Sequence, residues 1–167
     1  MDAQSLIEKF GLSPLPIEGG YFVETYRSDE TVPGSALDAR YGQGKALSTA
    51  IYYLLTPDTF SAMHKLRSDE VFHFYAGDPV EMLRLYPDGS HTVVTLGSDI
   101  GAGHTPQIVV PRGTWQGCRI IDGGKFALLG TTVSPGFDRT DHEHGDRDEL
   151  TRKYPDCAQL IKALTRA

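Results

Sequence analysis

The chain has 167 residues and a mass of 18.3 kDa, enough to bury a core without disulfide staples, so one domain over 1–167 is expected. Lys and Arg total 16 against 22 Asp and Glu; the net charge of -6, with no basic tract, excludes the electrostatic footprint of a nucleic-acid binder. Cys118 and Cys157 stand far apart and outside any CxxC, and neither a secretory leader nor a membrane-length apolar run is present, so a cytoplasmic protein without a membrane partner is expected.

Leu6, Ile7 and Phe10 recur at helical spacing, Ser5 and Glu8 fit a capping box, and Gly11 is a stop signal, so a short helix opens the chain. From Gly20 to Val133 the pattern becomes short runs of aromatic and β-branched residues between turn residues. The predicted strands are YFVETYR, ALSTAIYYLL, FSAMHKL, EVFHFYA, VEMLRLY, HTVVTL, QIVV, TWQGCRII and KFALLGTTV. Pro87 to Ser90, PDGS, predicts a hairpin, and Asp122 to Gly124 predicts another between the last two strands. Val110 to Gly113 carries proline and glycine at type I turn positions. Residues 28–45 are long for a hairpin loop and read as a lid, an interface arm or a disordered segment. Asp146 and Glu149 mark a second capping box, and Pro155 starts a final helix. Strands at this spacing predict an all-β sandwich or barrel with short terminal helices.

The stretch from His64 to Gly77, HKLRSDEVFHFYAG, holds the candidate chemistry. Side chains two apart on a strand share a face, so an H-x-H pair there would chelate a metal; Leu66 takes the place of the second imidazole. His64 and Glu70 remain, with Gln116 as a third candidate. Strict alternation sends Glu70, Phe72 and Phe74 to one face and Val71, His73 and Tyr75 to the other; a bulge would bring His73 inside. Leu66, Phe72, Phe74 and Trp115 are candidates for an apolar wall, and Arg27, Lys65 and Arg67 for attraction of an anionic ligand. The edge strand GYFVETYR suits pairing across a homodimer. Asp141 to Asp146, DHEHGD, reads as a solvated loop before a capped helix despite its own H-x-H spacing.

The run from His64 through Glu70 to Gly77 resembles the first motif of the cupin superfamily, and PRGTWQ the second, with Gln116 where a metal-binding histidine is customary. EGGYFVETYRS, STAIYYLL, MHKLRSDEVFHFYAGDP, PQIVVPRGTWQ and TTVSPGFD together resemble an uncharacterised RmlC-like cupin subgroup across nearly the whole chain. The resemblance implies a double-stranded β-helix, or jelly roll, usually dimeric, with a small-molecule pocket inside the barrel. Three readings of that pocket stand. Without metal, His64, Glu70 and, if it turns inward, His73 would carry isomerase- or epimerase-like acid–base chemistry, and no cofactor is expected. With metal, His64, Glu70 and Gln116 would hold iron, manganese or zinc. As a binder, the barrel would keep a metabolite unchanged.

Overall fold

The computed structural model describes residues 2–166. Helix α1 (Ala3–Phe10) is capped by Asp2, whose carboxylate accepts the Ser5 N–H at 2.8 Å, and by Gly11 in the left-handed region. Ser5 thus lies in the first turn and is not the cap; an acid one turn earlier serves the same exposed N–H groups. The strands follow in chain order as β1 (Ser13–Pro14), β2 (Tyr21–Arg27), β3 (Thr31–Val32), β4 (Lys45–Ala46), β5 (Thr49–Leu55), β6 (Ser61–Lys65) and β7 (Asp69–Gly77). Beyond them come β8 (Val80–Leu85), β9 (His91–Leu96), β10 (Gln107–Val110), β11 (Trp115–Ile120), β12 (Ala127–Ser134) and β13 (Glu143–His144), before helices α2 (Arg147–Lys153) and α3 (Ala158–Ala163).

Two antiparallel sheets form the body, in the orders β1-β2-β5-β12-β7-β10 and β13-β6-β11-β8-β9, with β3 and β4 paired apart. Successive strands cross repeatedly from one sheet to the other, which makes the body a jelly roll. Between β8 and β9, Gly89 donates to the Tyr86 carbonyl at 3.0 Å and adopts φ 92°, so PDGS does close a hairpin. Asp122 to Gly124 does not: β11 and β12 belong to different sheets, and this turn carries the chain across. At Pro111 the turn is shifted by one residue. Thr114 donates to the Pro111 carbonyl, and Gly113 takes φ 74°, a conformation that favours glycine.

The space between the sheets is filled by Tyr53, Leu55, Phe72, Met82, Leu129 and their neighbours from both sheets. The pocket expected inside the barrel is therefore largely apolar core. Met63, Leu83 and Leu85 turn to the other face of the five-stranded sheet and bury against Leu150, Tyr154, Ile161 and Leu164 of the C-terminal segment. Leu6 and Leu12 do the same for Leu54 and Leu128 of the six-stranded sheet. Residues 28–45 are ordered by β3, β4 and two 3-10 turns, with Tyr41 and Lys45 buried. Among the described residues, no helix is long and apolar enough to cross a membrane.

Candidate functional site

A β-bulge sets the site. β11 pairs with β6 so that Gln116 faces His64 and Cys118 faces Ser61, which leaves an extra residue on β6. Ser61 and His64, three apart, consequently share the inward face with Gln116 and Cys118. His64 is buried, and its Nδ1 lies 2.8 Å from the Ala62 carbonyl. A carbonyl only accepts, so Nδ1 carries a proton, and in the neutral form of the ring it is Nε2 that bears the lone pair. The Gln116 amide nitrogen stands 3.4 Å from that Nε2 and 2.5 Å from Glu70 Oε2. His64, Glu70 and Gln116, grouped as candidates by the resemblance, are thus brought together.

Two further residues complete the cluster, and sequence reasoning missed both. Glu18 comes from the turn between β1 and β2, where its N–H donates to the Pro16 carbonyl at 2.8 Å across Ile17, held at φ 72°. A β-branched residue in this γ-turn is strained. The Glu18 carboxylate accepts from the Ser61 hydroxyl at 2.9 Å and lies 3.6 Å from His142 Nε2. Gly19 is wedged against the barrel rim, where a Cβ would come within 2.3 Å of the Phe60 carbonyl, so the close approach requires glycine. His142 stacks on His64 with ring centroids 4.8 Å apart and planes at 10°, and His144 meets His142 edge-on at 4.5 Å. The DHEHGD segment precedes a helix capped by Asp146 and keeps Glu143 and His144 exposed, but it is no plain loop: β13 pairs with β6, lays His144 opposite His64, and His142 turns onto His64. The signal available beforehand was its H-x-H spacing beside an acid, Asp141.

The electrostatics divide the two acids. Burial raises the Glu70 carboxyl and the Glu18 charge adds to it, while His64, Thr131 and Gln116 oppose. Burial also pushes Glu18 upward, but His64, His142 and the Ser61 hydroxyl outweigh it, and its net direction is down.

The remaining candidates lie elsewhere. His73 faces outward, as strict alternation predicts: its Nε2 meets the Thr132 hydroxyl at 3.1 Å and its Nδ1 the Gln107 amide nitrogen at 3.2 Å, so β7 has no bulge that turns it inward. Trp115 points away from Gln116 and packs against the C-terminal helices; Lys65 lies over its ring at 4.4 Å and pairs with Glu143 at 2.9 Å. Arg27 is exposed, forked onto Glu24 and bonded to the Phe137 carbonyl, far from His64 in the register. Phe72 is core, and Phe74 packs against it. Leu66 lines a cleft of about 460 Å³ at the end of β6, together with Arg40, Lys65, Arg67, Arg112 and His142. That cleft reaches the cluster through His142.

The family model described as Cupin_5, Cupin superfamily (DUF985), matches residues 4–145. A solved structure of a hypothetical protein from Leishmania major is 31% identical, with a TM-score of 0.89 over 100% of both chains. Protein SO0799 from Shewanella oneidensis is 32% identical, with a TM-score of 0.86 over 99% of this chain and 98% of that one. The uncharacterized protein YML079W of Saccharomyces cerevisiae is 32% identical over 75% of this chain, and the match spans 66% of the yeast protein's length.

Proposed function

This chain belongs to the Cupin_5 family (DUF985) of the cupin superfamily, and from that premise we propose that it takes a small anionic molecule from the cleft and moves a proton on it, as isomerases and epimerases do beside a carbonyl. His64 Nε2 accepts the proton, Glu70 donates one, and Gln116 holds the two in position. The observation that carries this reading is the fixed tautomer of His64: with Nδ1 tied to the Ala62 carbonyl, the lone pair of Nε2 is left toward Glu70 and Gln116. A carboxyl raised by burial beside another held low supports the same division into acid and base. The cationic cleft supports an anionic ligand, since Arg67 and Arg112 line it and make no ion pair among the described residues. His142 covers His64, so a ligand that reaches Nε2 displaces this ring.

The metal set customary for cupins does not fit these residues. Leu66 stands where one imidazole would, and Gln116 turns a donor N–H group toward the Nε2 and Oε2 atoms a cation would need. The test is a panel of small carbonyl-bearing acids incubated in D2O and followed by NMR. The expected result is deuterium uptake at the carbon beside the carbonyl, falling by about a hundredfold or more in His64→Ala and Glu70→Gln. Uptake unaffected by both substitutions overturns the assignment; a ligand bound tightly and returned unlabelled makes the protein a binder.

We also propose a homodimer joined along β2. β1 pairs only with Tyr21 and Phe22, which leaves the edge from Val23 to Arg27 open beside an exposed Tyr26.

A further inference from the structure

We propose that Glu18, His64 and His142 form a site for one divalent transition-metal ion of the zinc or cobalt class, a donor set that shares only His64 with the cupin motifs. One carboxylate oxygen and two ring nitrogens, one from each residue, all lie within 4.8 Å of one another. Tetrahedral ligation at ordinary zinc–nitrogen and zinc–oxygen distances needs donors about 3.3 Å apart. The Glu18 Oε2 to His142 Nε2 separation is already 3.6 Å, so side-chain shifts of about an ångström close the set.

Outer partners support it beside distance, and ligation turns the His142 ring out of its stack on His64 so that both in-plane lone pairs meet one ion. The Ala62 carbonyl fixes the His64 tautomer from behind, which is the usual role of an outer partner to a ligating imidazole. The Ser61 hydroxyl steadies the Glu18 carboxylate in the same way. His142 Nε2 is buried without a hydrogen-bond partner, its acid neighbour Glu18 Oε2 standing 3.6 Å away, and a buried polar atom so placed is otherwise costly. A site with two nitrogens and one oxygen suits zinc, cobalt or manganese in preference to calcium or magnesium. Because His142 also lines the cleft, one side of the site faces the solvent channel.

This site does not depend on the acid–base reading. An ion on His64 Nε2 occupies the lone pair that proton abstraction uses, so a bound ion opposes that reaction. The experiment is titration of chelator-stripped protein with Zn²⁺ by calorimetry and with Co²⁺ by visible absorption. One ion per chain is expected, bound at least tenfold more weakly by Glu18→Gln and by His142→Ala, and with a smaller loss by Glu70→Gln, whose carboxylate is not among the donors. Far-UV circular dichroism confirms that each variant is folded. Absence of saturable binding to the folded wild type overturns the proposal, as does an equal loss in Glu70→Gln. Glu70→Gln also separates the two ideas: it is expected to lose deuterium uptake and keep the ion.

Discussion

Glu70 and Glu18 sit in one cluster and answer pH in opposite directions. Burial raises Glu70 first, so the folded chain holds that proton more tightly than the unfolded chain does. Its contribution to stability falls as pH rises from the ordinary glutamate value of 4.5 toward the raised one, and it stays lost above that. For Glu18, where the neighbouring imidazoles outweigh burial, the contribution is present above 4.5 and is lost as pH falls through the lowered value. Thermal melts between about pH 3 and pH 7 should therefore show Glu70→Gln gaining on the wild type as pH rises above 4.5, and Glu18→Gln losing ground as pH rises toward 4.5 and holding level beyond it. Parallel curves for the two variants would show that the environments are not divided in this way.

Among the elements, the 28–45 segment matters through one contact. Lys45 Nζ lies 2.6 Å from Asp141 Oδ2 with both side chains 2% exposed, so the segment is pinned to the turn that immediately precedes His142. Taking one partner from a buried pair leaves an uncompensated charge. Lys45→Met is accordingly expected to cost about 3–5 kcal/mol in urea unfolding, and Lys45→Met with Asp141→Leu to recover most of it. A single variant within about 1 kcal/mol of the wild type would deny the pair this role. The same contact explains what could be read in advance. Alternation and turn residues identified the strands from β5 to β12 because the pleat and the turns are local, and they aligned His64, Glu70 and Gln116 because the cupin motifs carry them. Glu18 and His142 were hidden because nothing near either residue in the chain announces the γ-turn at Ile17 or the pairing of β13 with β6. Of the lid, interface arm or disordered segment read for 28–45, disorder is the one set aside once its lysine meets an acid far along the chain.

At the scale of the whole molecule, the open edge of β2 gives assembly a simple test. Light scattering on the eluting protein should give twice the 18.3 kDa chain mass, and Tyr26→Lys, which puts a charge on that edge, should return it to one. A wild type that elutes at the single-chain mass removes the dimer.

Glu18 and His142 also set a timetable. One belongs to the turn after β1 and the other precedes β13, so the proposed ion site waits on a closure between distant parts of the chain. While synthesis is in progress and residue 142 is still inside the ribosome, the emerging strands have no finished cluster to offer. The proposed ion site is therefore incomplete until β13 has been laid beside β6.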